Sequence, residues 1–246
     1  MYFAFGIMHI MNKNVILAGL AIAVLAGSAW WFTQNSFTHP LPLSEGDKIE
    51  SWDLDGTYKD GGELEKKAND QIVRLQGFLG GDQSGKDDDP TDYELRVGIA
   101  NQYELLGDGK RAYEHLGRAL VIDSLHTGLA WHNLGALMVK LNALQTARTA
   151  YAKAVEAQSG VIQYHIARLE FLTSRFAEDT GAIEGAFQEA ESTFGDAAPI
   201  LQIKSAWFTE SGRYQEAISA LEKMKRLMGG RDADIDREIA RLKALP

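Results

Sequence analysis

Apolar residues recur at helical spacing through most of the chain beyond residue 60. Between Glu63 and Leu79 they fall four and three positions apart, at Leu64, Ala68, Ile72, Leu75 and Leu79. Such spacing places the side chains on one face of an α-helix. We therefore predict an amphipathic helix here, packed on the segment that follows.

The strongest pattern is a pair of helical stripes that begins near residue 130. AWHNLGALM places Trp131, Leu134, Gly135 and Met138 on one helix face, and Ala147, Tyr151 and Ala154 form a second stripe. The same frame occurs 35 residues earlier, although a charged residue there takes the place of Trp131. Its members are Arg96, Ile99, Ala100 and Tyr103, then Ala112, Leu116 and Ala119.

Two more helix pairs follow towards the C-terminus. SGRYQEAISALEKM is the clearer second helix, with Gly212 at the turn and Tyr214, Ala217, Leu221 and Met224 facing inward. Its first helix, Ile200 to Glu210, keeps Leu201 and Phe208 but carries Lys204 and Ser205 between them. The pair before it is degenerate, with a long turn at 175–181. Its inward positions are Tyr164, Ala167, Arg168 and Phe171, then Ala182, Ala186 and Ala190.

Together these pairs resemble the tetratricopeptide repeat, whose pattern is W-x2-L-G-x2-Y…A-x3-F…A with a period of about 34 residues. The resemblance covers four units, at 93–126, 128–160, 161–196 and 198–230, followed by a capping helix at 234–245. It implies an all-α helical solenoid in which stacked units bury a continuous core. The alternative is an unrelated helical bundle.

The N-terminal region contains a different kind of segment. Residues 15–32 read VILAGLAIAVLAGSAWWF, an uncharged run close to the roughly 20 residues that cross a bilayer core. We predict a transmembrane helix here after a short tail at 1–14. Lys13 precedes the run, so the positive-inside rule predicts a cytoplasmic N-terminus and an extracytoplasmic repeat domain. The alternatives are a cleaved signal peptide and a buried core helix. Separately, Met11-Asn-Lys-Asn resembles a natural start of the chain.

The region 33–92 reads as a proline-containing stalk, an acidic linker at 45–61, the amphipathic helix, and a mobile loop from Gly80 to Pro90. The net charge of −9 lies here, because Glu45 to Glu94 holds 15 acidic and 6 basic residues. No face rich in Lys and Arg is evident. We therefore do not expect nucleic-acid binding, which requires clustered basic residues to neutralise phosphates.

Little in the sequence indicates catalysis. Cysteine is absent, which excludes thiolate metal sites and thiol nucleophiles. Gly80 to Lys86 fits the opening of a phosphate-binding loop, but Asp87 replaces its Ser or Thr. The acidic runs lack calcium-loop spacing, and the repeat histidines lack metal-ligand spacing. We therefore predict a protein that is not an enzyme, with no catalytic residues, no metal and no cofactor.

The family resemblance implies a function in binding other proteins, since its first helices line a groove that holds partner peptides or helices. By their offset from the buried stripe, the groove residues are Asn101, Glu104, His132, Asn133 and Lys140. A clamp for a C-terminal carboxylate is disfavoured, because Val97 stands where a lysine is expected. We predict a membrane-anchored interaction scaffold. The alternatives are a chaperone-like accessory of protein export or envelope assembly, and an enzyme with an unrecognised site.

Overall fold

The computed structural model describes residues 37–81 and 90–245. The predicted transmembrane helix at 15–32 and most of the predicted loop from Gly80 to Pro90 lie outside these ranges. Within them, no helix is both long and apolar enough to cross a membrane. The chain divides into two units before Pro40. Of the first unit, only residues 37–39 are described.

The described chain is all-α, as predicted, with ten helices that we number in chain order. They are α1 Glu63–Phe78, α2 Asp92–Leu105, α3 Gly109–Ile122, α4 Leu129–Lys140, α5 Leu144–Ala157, α6 Ile162–Arg175, α7 Thr180–Phe194, α8 Ala198–Glu210, α9 Tyr214–Leu227 and α10 Ala233–Lys243. The only β-type pairing in the described residues is an isolated antiparallel bridge between Asp53 and Asp108.

Consecutive helices pack in pairs that stack into a row. Helix α2 packs on α3, α4 on α5, α6 on α7 and α8 on α9, with α1 and α10 covering the two ends. First helices of neighbouring pairs also meet, α2 with α4 and α6 with α8. One core of buried apolar side chains runs through all the pairs. Stacking of this kind is required because no single pair can bury its own apolar face.

Small residues set the distance between the two helices of the second pair. Gly135 on α4 faces the Tyr151 ring on α5, and a Cβ atom at Gly135 would lie 2.8 Å from Tyr151 Cδ1. Ala147 and Ala154 on α5 are completely buried. The helices can therefore approach closely only because these positions carry a hydrogen atom or a methyl group.

The degenerate third pair is held partly by charge. Arg168 stands at the position equivalent to Gly135, and its Nη1 atom lies 2.6 Å from Glu189 Oε2 on α7. Tyr164 and Phe171 are buried as predicted, whereas Ala167, Arg168 and Ala182 are only half-buried. Ile183 and Phe187 supply the buried bulk of α7 instead, so this unit packs on larger side chains than the sequence pattern indicated.

Residues 40–58, which we call the strap, differ from the predicted stalk and acidic linker. The strap lies against the first two pairs, with Leu41, Ile49, Trp52 and Leu54 packed on the core. Leu54 N donates to Gly107 O at 2.8 Å, Tyr58 N to Leu105 O at 2.9 Å, and Gly109 N to Trp52 O at 2.9 Å. The strap's acidic composition and the irregular spacing of its apolar residues concealed this packing.

The strap also completes the N-terminus of α5. The N-cap residue of α5 is Ala143, which has no side-chain acceptor for the free backbone N–H groups. The Asp47 carboxylate takes this role, because Gln145 N lies 3.2 Å from Asp47 Oδ1, and Thr146 N lies 2.6 Å from Asp47 Oδ2. Thr146 Oγ1 also donates to Asp47 Oδ2 at 2.7 Å. A residue almost 100 positions away thus caps this helix.

Candidate functional site

The predicted groove residues lie on the first helices of the first two pairs. Asn101 and Glu104 are on α2, and His132, Asn133 and Lys140 are on α4. The structure brings four of them together in two polar contacts. Asn133 Nδ2 donates to Asn101 Oδ1 at 3.0 Å, and Lys140 Nζ lies 2.5 Å from Glu104 Oε1. Both contacts join neighbouring units, so these side chains already have partners within the chain.

His132 lies in a different environment. Its ring is half-buried, 5.9 Å from the ring of Tyr151 on α5 and 5.4 Å from the ring of Tyr164 on α6. Burial lowers the pKa of His132, since desolvation disfavours the imidazolium form. His132 therefore packs as a neutral aromatic side chain between the second and third units.

A cleft between the first helices of the third and fourth pairs was not predicted. It has a volume of about 370 Å³. Its lining residues follow one stripe on each helix: Ile166, Glu170, Thr173 and Ser174 on α6, and Pro199, Gln202, Ile203, Ala206, Trp207 and Glu210 on α8. We call this the α6–α8 cleft. It lies where two first helices meet, which is the type of surface on which the groove was expected.

The floor of the cleft is aromatic and buried. Trp207 is 2% exposed, and its ring lies 5.7 Å from the Phe187 ring and 5.0 Å from the Phe208 ring. Its buried Nε1 atom has no hydrogen-bond partner among the described residues. Tilted contacts with these two rings pack Trp207 into the floor of the cleft.

Two carboxylates, Glu170 on α6 and Glu210 on α8, are exposed lining residues of the cleft. Among the described residues no Lys or Arg lines the cleft, and neither carboxylate forms an ion pair. Other carboxylates nearby are paired: Glu184 with Arg213, Glu189 with Arg168, and Glu191 with Lys204, each at 2.6 Å. The cleft therefore combines apolar side chains with two carboxylates that form no ion pair within the described chain.

The sequence contained a signal for this cleft. Gln202, Ile203 and Glu210 follow Leu201 by one, two and nine positions, just as His132, Asn133 and Lys140 follow Trp131. Applying the same offset to the fourth unit would have identified them. What the offset could not show is that the α6 and α8 stripes leave space between them.

The histidines of the repeats do not form a metal site. Within residues 37–81 and 90–245, no group of three or more His, Asp or Glu side chains is arranged to hold a metal ion. His165 is buried, and its Nε2 atom lies 2.9 Å from Ser159 O. Burial, helped by the neighbouring Arg96, lowers the pKa of His115 to about 4. These residues are accounted for by packing.

Comparison with known proteins gives likeness in structure alone. No family model and no curated protein matches the sequence. The crystal structure of MamA matches with a TM-score of 0.50 and 19% identity, over 75% of this chain and 99% of MamA. The fold is a tetratricopeptide-repeat-like solenoid. The fold predicted for the repeats is thereby confirmed.

Two further solved structures show weaker likeness. YrrB, a tetratricopeptide-repeat protein with an unusual peptide-binding site, has a TM-score of 0.49 and 15% identity over 72% of this chain and 84% of YrrB. TTC0263 of Thermus thermophilus, also a tetratricopeptide-repeat protein, has a TM-score of 0.47 and 17% identity over 73% of this chain and 92% of TTC0263.

Proposed function

We propose that this chain is a protein-interaction scaffold that holds segments of partner proteins on the surface formed by its first helices. The α6–α8 cleft carries the proposal, because it offers a preformed concave site with apolar walls and a few charged groups. Sites of that kind bind ligands in other proteins. The solenoid supports the same function, since stacked helix pairs present an extended surface for recognition.

We further propose that residues 15–32 tether the scaffold to a membrane, with the repeat domain on the extracytoplasmic side. Support comes from the sequence alone: the uncharged run is long enough to span, two tryptophans end it, and Lys13 precedes it. A scaffold with one such anchor would concentrate its partners at the membrane surface.

The binding surface can be tested with a photo-crosslinking amino acid placed at single positions of the full-length protein in cells. Asn101 on α2 and Gln202 on α8 are exposed positions on first helices. Illumination should link these positions to a defined set of proteins, which mass spectrometry of the tagged product would identify.

Matched control positions lie on second helices, at Glu156 on α5 and Glu222 on α9, which are also exposed. We expect that these positions do not capture the same set. Equal capture from both pairs of positions, or no specific capture from either first-helix position, would refute a scaffold that works through its first helices.

The tether has its own test, a reporter enzyme that is active only outside the cytoplasm, fused after Pro246. We expect activity from the full-length fusion, and loss of activity when residues 15–32 are deleted, because the apolar run then no longer directs export. A reporter that is active only in the cytoplasm would reverse the proposed orientation.

A further inference from the structure

We propose that the α6–α8 cleft receives one aliphatic side chain of a partner segment that carries Lys or Arg on either side of it. This inference rests on the proposed scaffold function and specifies the chemistry of the partner. It follows from the walls of the cleft, from the charge beside it and from its volume.

The walls select an aliphatic side chain. Ile166 on α6 faces a stripe of α8 that contains Ile203, Ala206 and the buried Trp207. Apolar surface removed from water contributes about 25 cal/mol per Å². A Leu, Ile, Val or Met side chain of the partner would bury such surface on both helices. A polar side chain would lose its hydration, and the Thr173 and Ser174 hydroxyls of the lining already donate to backbone carbonyls of α6.

The charge beside the cleft selects basic neighbours. Glu170 and Glu210 lie on opposite helices and have no basic partner in the described chain. Between the first helices of the first two units, by contrast, the Glu104 carboxylate is paired with Lys140. A partner that places a cation near each carboxylate gains attraction and faster association, and an acidic partner is repelled.

The volume limits how much of the partner enters. At about 370 Å³ the cleft lies at the small end of ligand sites, which span roughly 300–1,000 Å³. It has room for one side chain and the adjoining backbone, and too little for a whole helix. The partner is therefore expected to insert a single residue and to keep its charged neighbours at the surface.

The proposal can be tested by fluorescence polarisation with the full-length protein in a neutral detergent. The probe is a library of labelled 12-residue peptides with Leu, Ile, Val or Met at the centre and Lys or Arg one to four positions away on both sides. We expect a subset to bind, and replacement of the central residue by Ser to weaken binding at least tenfold. If no peptide binds the wild-type protein, the proposal is wrong.

Charge reversal makes the test specific. The double variant Glu170→Lys/Glu210→Lys should weaken binding of the basic peptides at least tenfold, and it should bind the same peptides with Asp in place of Lys or Arg. The control Glu178→Lys/Glu222→Lys changes two exposed carboxylates outside the cleft, so it alters net charge equally and should retain binding. An equal loss in the control, or no gain for the acidic peptides, would overturn the proposal.

The in-cell crosslinks separate this inference from the proposed function. If Gln202 captures a defined set of other proteins and the double charge reversal leaves that capture unchanged, the scaffold function stands and the assigned cleft chemistry fails. If Gln202 links only to a second copy of this chain, the cleft is a self-association site and a foreign partner is excluded. Loss of capture in the double variant alone supports the inference.

Discussion

Replacement of Gly135 by Leu is expected to destabilise the solenoid by about 3 kcal/mol. A Cβ atom at this position would lie 2.8 Å from Cδ1 and 3.0 Å from Cγ of Tyr151. That ring cannot move aside easily, because it is buried and lies 5.2 Å from the Phe171 ring of the next unit. Even Gly135→Ala should therefore destabilise the protein, and Leu should separate α4 from α5.

The measurement is the apparent melting temperature of the full-length protein, followed by circular dichroism. For a folded unit of this size, a loss of 3 kcal/mol corresponds to a decrease of about 6–12 °C. Gly185 provides the control, since it is an exposed helical glycine of α7 with nothing within 4 Å of an added Cβ. Gly185→Ala should stabilise by up to about 1 kcal/mol, because alanine favours the helix.

A lower melting temperature for the Gly135 variants and a higher one for Gly185→Ala would show that side-chain packing, and not helix propensity, determines the stability effect at Gly135. If Gly135→Leu melts at the wild-type temperature, the close helix crossing described above is wrong. The experiment thus tests the repeat geometry independently of any partner.

The second large effect is expected at the strap. Gly56→Ala should detach it and cost about 1–3 kcal/mol, because a Cβ atom there would lie 2.4 Å from Gly107 N and 2.6 Å from Leu105 O. Both contacts are with backbone atoms, which cannot rotate away.

Asp47→Ala should also lower the stability of the protein, by about 1–2 kcal/mol, since it leaves the N-terminus of α5 without its carboxylate cap.

Trypsin cleavage after Lys48, an exposed residue of the strap, reports detachment directly. Both variants should be cut there faster than the wild-type protein and should melt at a lower temperature. The controls are Gly77→Ala, at a helical position where an added Cβ meets nothing within 4 Å, and Asp55→Ala, at an exposed position of the same strap. Unchanged cleavage in Gly56→Ala would show that the strap does not depend on the close contact with Gly107.

The strap illustrates what the sequence analysis missed. Its acidic residues suggested a solvated linker, and its apolar residues have no helical period to mark them. The core contacts of the strap form only when the repeats have folded, because its apolar residues pack on the repeat core: Leu41, Ile49, Trp52 and Leu54. Asp47 likewise has no local signature as a cap, because the helix that it serves begins 97 residues later at Leu144.

The predicted groove residues also show which features the sequence predicts and which depend on tertiary structure. Sequence offsets placed Asn101, Glu104, Asn133 and Lys140 on first helices, and they do lie there. The offsets could not show that these four residues pair with one another, or that open space remains between α6 and α8. Both facts depend on the angle and distance between neighbouring units, which the pattern of a single unit does not contain.

The sequence by itself determined the helices, their pairing and the repeated unit, because amphipathic periodicity and small residues at helix crossings are local properties of the chain. Tertiary structure alone decided where the strap lies, which residue caps α5, which charges are neutralised and where a cleft opens. Each of these depends on residues far apart in sequence that come within a few ångströms only after the units stack. Packing geometry, which no local pattern encodes, therefore determines the candidate site.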